Sequence, residues 1–251
     1  MSTVTETIQA GVSLWTLDRP PVNAISAELL QDLRNLLDRC EADHTVRAVV
    51  LAARGPAFAA GADVPGFLQL GGSLSDFMRM GADLFRRLER SRLPVVAAVN
   101  GPCYGGGNEL AMAADIRVAS IKARFGQPEV NLGIIPGWGG THRLARLVGA
   151  SRARRLLLTG ESIGAEDAYR IGLIDEVVEP RLLVETALNL ADRLASLPPL
   201  ALSELKELMA PEDASAQSRE TQAIERLVQS EDALEGIRAF MEHRRPRFTG
   251  R

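Results

Sequence analysis

The chain has 251 residues, 46% of them hydrophobic and 24% charged, and its 29 basic and 32 acidic residues give a net charge of −3. This composition is that of a globular protein with one large core, or with one domain and a small appendage. The weakly acidic balance and the 4% aromatic content disfavour nonspecific binding to nucleic acid or to anionic membranes, but they do not exclude a local basic site for an anionic small molecule.

The rarer residues exclude further classes of protein. Cys40 and Cys103 form neither a CxxC motif nor a disulfide framework, so we expect a reducing compartment and a cytoplasmic protein. The three histidines lack metal-ligand spacing, so we expect no metal. The first residues, MSTVTETIQAG, show no secretory pattern, and no apolar run is long enough for a membrane span.

The first half of the chain predicts strands alternating with helices. Residues Gly11–Asp18 alternate in polarity as a half-buried strand does, and Arg47–Ala53 reads as a buried strand. Ser26 can cap a helix between these strands. That helix carries an apolar stripe made of Leu29, Leu30, Leu33, Leu36 and Leu37. A second helix is predicted over Ser75–Arg90.

The remainder of the chain completes a predicted α/β core and then becomes helical. Pro94–Asn100 and Asp115–Ser120 read as further buried strands, so helices should pack outside a sheet. After about Pro180 the strand patterns stop and only helical periods remain. We expect a core of residues 1–190 and a helical region of residues 191–251, which is either a lid or an oligomer contact.

Three consecutive glycines open one of the predicted helices. Gly105–Gly107 follow a buried strand, and they leave unencumbered N–H groups at the positive end of a helix, where an anion or a developing oxyanion can bind. Glu109 lies in the first turn. It is either a catalytic carboxylate or only a favourable helix-start charge, with the glycines serving to let elements pack.

A nucleotide-binding motif does not account for these glycines. Gly105 and Gly107 give G-x-G, but the third glycine position is Leu110, and no GxxxxGK[ST] motif occurs.

Two more segments carry candidate chemistry. Glu129 follows Pro128 and is bordered by apolar residues, so it is a candidate for a raised pKa and a general-acid role; the alternative is a surface-loop glutamate. The segment Ala57–Asp63 (AFAAGAD) consists of small residues after a buried strand, and it could offer a second N–H donor. Alone this is weak evidence, because such loops are common.

The segment Gly160–Gly164 (GESIG) matches the G-x-S-x-G motif of serine hydrolases. A true nucleophile elbow needs a strand before Ser162, whereas helical spacing precedes it here. A triad of Ser162, Asp175 and His243 would have to draw its histidine from a basic tail. The sequence therefore disfavours a hydrolase.

Taken together, the segments resemble the enoyl-CoA hydratase/isomerase (crotonase) family. The resemblance covers nearly the whole chain, in the family's order. It runs through AFAAGADV, PVVAAVNGPCYGGGNELAMAADIRVAS, FGQPEVNLGIIPGWGGTHRL, LLLTGESIGAEDAYRIGLIDEVV and EGIRAFMEHRRPRF. It implies a crotonase-like α/β fold, which is a spiral of ββα units, with a C-terminal helical region that packs homotrimers or homohexamers. It also implies a coenzyme A thioester as ligand, which is substrate rather than a separate cofactor.

The resemblance assigns roles to particular residues. The backbone N–H groups of Ala62 and Gly106 take the positions of the family's oxyanion hole, and Glu109 and Glu129 fall on the two glutamates of the hydratases. The implied positions for the substrate and its CoA are Ala60, Ala62, Asp63, Val64, Gly106, Gly137 and Trp138.

With both glutamates present, the implied reaction is the reversible addition of water to trans-2-enoyl-CoA. Glu109 would deprotonate the water that adds to C3, and Glu129 would protonate C2. The alternatives are a double-bond isomerase that moves a proton with Glu129, another acyl-CoA enzyme of the crotonase family, and a non-catalytic scaffold or binding protein of the same fold.

Two positions depart from or elaborate the family pattern. Pro65 stands where many hydratases carry a lysine for the CoA phosphates. Either basic residues of the tail, including His243, replace that lysine, from the same or a neighbouring subunit, or the tail is a solvated charged end. Trp138 either narrows the acyl pocket or is a structural tryptophan.

Overall fold

The computed structural model describes residues 2–63, 74–210 and 214–249. Its strands are β1 (Val4–Gln9), β2 (Val12–Leu17), β3 (Ala48–Ala53), β4 (Val95–Val99), β5 (Pro102–Tyr104), β6 (Ile116–Ser120), β7 (Arg124–Gly126), β8 (Ser162–Gly164) and β9 (Glu176–Val178). Its α-helices are α1 (Ala27–Ala42), α2 (Leu74–Arg90), α3 (Gly106–Met112), α4 (Gly140–Val148), α5 (Ala150–Thr159), α6 (Ala165–Arg170), α7 (Leu183–Ala195), α8 (Pro199–Met209), α9 (Ala214–Leu227) and α10 (Glu231–Met241). In the described part of the chain, 3₁₀-helices lie at Pro128–Leu132 and Pro180–Leu182.

Two sheets organise the described residues. The larger has the strand order β1-β2-β3-β4-β6-β9, with β1 antiparallel to β2 and the other neighbours parallel. The smaller has the order β5-β7-β8. In β3, Val49 and Leu51 belong to the core that also contains α1 and α2, whereas Val50 and Ala52 pack with the helix α7. Because both faces of this sheet are covered, its parallel strands need continuous apolar runs.

The elements predicted in the first half of the chain are present. The buried strands predicted at Arg47, Pro94 and Asp115 appear as β3, β4 and β6, each starting one residue later than expected. The side chain of Ser26 caps α1 by accepting a hydrogen bond from the N–H of Leu29. The predicted α/β class is confirmed.

The last third of the described chain is helical, as predicted, with no strand after β9. Helix α7 packs on the large sheet, α9 packs against α2 and α4, and α10 packs against the 3₁₀-helix Pro128–Leu132. Helix α7 also runs across the expected boundary at residue 190, and the division into two regions stays a prediction. Among the described residues, no helix is both long and apolar enough to cross a membrane.

Candidate active site

A cavity of about 560 Å³ brings the predicted site residues together. Its walls come from the small-residue loop before residue 64, the start of α3, the 3₁₀-helix Pro128–Leu132, and helices α2, α9 and α10. Its lining includes the expected Ala60, Ala62, Asp63, Gly106, Glu109, Glu129, Gly137 and Trp138. Val64, also expected here, lies outside the described residues, as does Pro65. Most of the wall is apolar, so ionised carboxylates inside it are disfavoured.

Each glycine of the run Gly105–Gly107 meets a different steric demand. Gly105 has a φ of +50°, and a Cβ atom there would lie 2.9 Å from Oε1 of Glu129. A Cβ atom on Gly106 would lie 2.4 Å from Cζ3 of Trp138, and one on Gly107 would lie 2.2 Å from a backbone oxygen. The run therefore lets α3 begin directly against the cavity wall.

Two backbone N–H groups are available to a ligand beside this run. Ala62 and Gly106 are neighbours in space, because a Cβ atom on Gly106 would lie 3.4 Å from the nitrogen of Ala62. Among the described residues, neither N–H donates to a protein acceptor, although the adjacent Asp63 N–H donates to Ile25 O at 2.9 Å. Paired donors at a cavity wall can bind a carbonyl oxygen that gains negative charge.

Glu109 is buried between α3 and the start of α4, with 2% of its surface exposed. Its Oε1 accepts hydrogen bonds from the backbone N–H groups of Trp138 at 2.8 Å and Gly140 at 2.7 Å. Burial, together with the nearby carboxylates of Glu220 and Glu129, raises the pKa of Glu109 well above its usual value, while the two N–H donors act in the opposite direction.

Glu129 lies half-buried in the 3₁₀-helix rather than in an irregular loop, and its carboxyl group faces the cavity. Burial raises the pKa of Glu129 to about 8, with the charge of Glu220 adding to the effect. Gln127 is buried beside it. In the amide orientation that satisfies its neighbours, Gln127 donates to Glu129 Oε1 at 3.0 Å and to the carbonyl of Gly105 at 3.3 Å. Glu129 is thus held in place and is suited to carry a proton near neutral pH.

Glu220, on α9, is a third carboxylate beside Glu109 and Glu129, it is buried, and sequence reasoning missed it. It accepts hydrogen bonds from the N–H of Gly139 at 2.5 Å, from the N–H of Thr141 at 3.0 Å, and from the Thr141 hydroxyl. Its own pKa is raised by burial, against the effect of these donors. The residues around Glu220 in the sequence (SRETQAIERL) show only an ordinary polar helix, so no local pattern could have indicated it.

Trp138 forms part of the cavity wall. Its ring meets Phe77 and Phe85 edge to face, with centroid distances of 5.2 and 5.4 Å, and 1% of its surface is exposed. Gly81 on α2 and Gly106 on α3 leave the space that the indole fills. Trp138 is therefore both a core residue and part of the cavity wall.

The remaining candidates lie at the periphery. Asp63 forms an ion pair with Arg19 at 2.6 Å at the edge of the cavity. In the tail, Arg244 pairs with Glu235 and Glu242. Ser162 begins the short strand β8, and the element directly before it in the described chain is helix α5 rather than the strand that a nucleophile elbow needs. The described residues contain no group of three or more His, Cys, Asp or Glu side chains arranged to hold a metal ion.

This geometry defines a candidate acid–base enzyme, in which paired backbone donors and two carboxyl groups share one apolar cavity. The sequence model of the enoyl-CoA hydratase/isomerase family matches residues 7–251. A probable enoyl-CoA hydratase of Bacillus subtilis is 37% identical over the full length of both chains. A short-chain-enoyl-CoA hydratase of Clostridium acetobutylicum is 41% identical, with 93% of this chain and 92% of the relative covered.

A solved structure of the same family also matches the whole chain. The crystal structure of carnitinyl-CoA hydratase from Mycobacterium avium superposes over the whole of both chains with a TM-score of 0.90 and 33% identity. The chain belongs to the enoyl-CoA hydratase/isomerase family. The crotonase-like fold predicted from the sequence is confirmed.

Proposed function

We propose that this protein is an enoyl-CoA hydratase, a hydro-lyase that adds water reversibly to trans-2-enoyl-CoA and gives 3-hydroxyacyl-CoA. The named activities of its relatives support this assignment. The structural observation that carries it is the meeting of two carboxyl groups, Glu109 and Glu129, with two available N–H groups around one apolar cavity.

The thioester oxygen accepts hydrogen bonds from the N–H groups of Ala62 and Gly106. These donors draw electron density from the conjugated system, so C3 becomes electrophilic and the enolate-like oxygen that forms is stabilised where it develops. One such donor is worth about 3 kcal/mol of barrier in other oxyanion holes.

The two glutamates take opposite roles because their surroundings differ. Two backbone N–H groups at the start of α4 donate to Glu109, so within the coupled pair the negative charge is best placed there. Glu129, whose pKa is raised to about 8, keeps its proton near neutral pH. Glu109 therefore takes a proton from the water that attacks C3, and Glu129 delivers its proton to C2.

The CoA portion lies along Ala60, Asp63 and Gly137, and no further cofactor takes part, since CoA is a part of the substrate. We also propose a homotrimer or a homohexamer. The support is a set of α8 side chains that are about 80% exposed in the single chain, at Leu200, Leu208 and Met209, because an apolar surface of this kind is commonly covered by a partner. A cytoplasmic location stays a prediction from the cysteine content.

The test is to incubate the purified protein with a short trans-2-enoyl-CoA and to measure the product by mass spectrometry. A hydratase adds the mass of one water molecule. A parallel incubation with a 3-enoyl-CoA is followed by its conjugated enoyl-thioester absorbance. An isomerase would add no water to the 2-enoyl-CoA and would convert the 3-enoyl-CoA into the conjugated isomer, and a scaffold would convert neither compound. Either of these last two results would contradict the proposal.

A further inference from the structure

Four successive backbone N–H groups at the start of α4 alternate between two glutamates. The N–H groups of Trp138 and Gly140 donate to Glu109, at 2.8 and 2.7 Å. The N–H groups of Gly139 and Thr141 donate to Glu220, at 2.5 and 3.0 Å. The segment Trp138–Thr141 is thus clamped between a carboxylate on α3 and a carboxylate on α9.

We propose that Glu220 is a positioning residue for the hydration reaction. It fixes Trp138–Thr141 so that the other two N–H groups hold Glu109 in its reactive place, and it keeps a second negative charge beside the glutamate pair, in which Glu109 is ionised and Glu129 is protonated. The inference rests on the proposed function. It assigns to α9 a part in the chemistry, beyond covering the cavity.

The contacts require a carboxylate at this position. One oxygen of Glu220 accepts from Gly139, and the other accepts from both the N–H and the hydroxyl of Thr141. All three partners donate, so the ionised form satisfies them best. An amide at this position would turn its NH₂ group toward one of the backbone N–H groups.

The segment is braced on its other side by Arg143. This buried side chain donates from Nη1 to the carbonyl of Trp138 at 2.6 Å and forms an ion pair with Glu89 on α2. The backbone between Trp138 and Thr141 therefore has fixed partners for its N–H groups and for a carbonyl, and loss of Glu220 would free one side of it.

The charge of Glu220 also acts on the catalytic pair, because it raises the pKa of both Glu109 and Glu129. Among the described residues, the charged or titratable groups that face Glu220 include these two, Arg143, and His142, whose Nδ1 lies 3.9 Å from a Glu220 oxygen. Arg143 is partly balanced by Glu89. Removing the Glu220 charge should therefore lower the pKa of both catalytic glutamates.

The experiment compares Glu220→Gln with the unaltered enzyme in the hydration of a short trans-2-enoyl-CoA over a range of pH. We expect kcat to fall about tenfold with little change in KM. We also expect both limbs of the kcat/KM profile to move to lower pH, by about one unit. The matched control is Glu225→Gln, which removes a glutamate of the same helix that contacts Ser75 instead of α4, and its profile should not move.

A second variant covers the case in which Glu220→Gln does not fold. Thr141→Val removes the hydroxyl that lowers the pKa of Glu220, so it should shift the profile in the same direction by a smaller amount. A lower kcat with unmoved limbs in a folded variant would mean a merely structural role and would overturn the inference, as would an unchanged kcat. Failure of the unaltered enzyme to hydrate any substrate would instead contradict the proposed function.

Discussion

The N–H of Gly140 donates to Oε1 of Glu109 at 2.7 Å, so the first residue of α4 is bound by a side chain of α3. The N–H of Trp138 donates to the same oxygen. Because both bonds use one oxygen, a glutamine can keep both with its amide oxygen, while it loses the ability to take a proton. Glu109 therefore combines a structural role and a chemical role that two substitutions can separate.

We expect Glu109→Gln to fold normally and to lose about 10²- to 10⁴-fold in kcat, the usual contribution of a general base. Glu109→Ala should lose activity and also melt at a lower temperature, because two buried N–H groups lose their acceptor. Thermal melting of the two variants beside the unaltered protein checks this. Equal melting temperatures for the two variants would contradict the anchoring role of Glu109.

The raised pKa of Glu129 predicts how the rate depends on pH. The acid form is required, and burial raises the pKa of this group to about 8, so kcat/KM should fall as the pH rises through about 8. In Glu129→Gln the remaining activity should lack this basic limb. The measurement is kcat/KM for hydration between about pH 6 and pH 10, a range that brackets the expected fall in rate. A basic limb that survives in Glu129→Gln would assign it to another group.

Gly106 should tolerate no side chain while Trp138 is present. A Cβ atom there would lie 2.4 Å from the indole Cζ3, so Gly106→Ala must displace the ring or the N–H that binds the thioester. We expect a loss of about 10²-fold in kcat, close to that for the loss of one oxyanion donor. Adding Trp138→Ala removes the clash and should restore part of the activity. A double variant that is less active than Gly106→Ala would contradict this explanation.

Trp138 should set the upper length of the acyl chain. Its ring fills the space between Gly81, Gly106 and two phenylalanines, and it forms part of the cavity wall. Trp138→Ala should therefore raise the ratio of kcat/KM for long over short enoyl-CoAs by about tenfold, with a loss of stability of about 3–5 kcal/mol.

The control for this prediction is Trp15→Phe, which alters the other tryptophan, buried in the core away from the cavity lining. It should cost stability and leave the ratio unchanged. An unchanged ratio in a folded Trp138→Ala variant would make Trp138 a structural residue only.

The elements that could be predicted from the sequence are those in which the pattern of apolar residues reflects which side chains are buried. The helix α1 shows its apolar stripe and its Ser26 cap, and β3 shows the unbroken apolar run of a strand covered on both faces. Strand β1 was not predicted. It lies at the edge of the large sheet and most of its residues reach solvent, so little in VTETIQ distinguishes it from a polar loop.

The site was predictable only in part, for a related reason. Glu109 and Glu129 adjoin glycines or apolar residues in the sequence, which marks them locally as unusual carboxylates. The roles of Glu220 and Gln127 depend on tertiary contacts. Glu220 meets α4 across about 80 residues of chain, and Gln127 donates to the carbonyl of Gly105, which directly precedes α3. Single-sequence patterns do not record such distant contacts.

The most direct test of the two-glutamate mechanism is the rate at which the conjugated enoyl-thioester absorbance is lost with the unaltered enzyme, Glu109→Gln, Glu129→Gln and the double variant. If the two carboxyls act as one acid–base unit, each single variant should lose most of the rate, and the double variant should be scarcely slower than either. Rapid hydration by either single variant, or losses that multiply in the double variant, would contradict this mechanism.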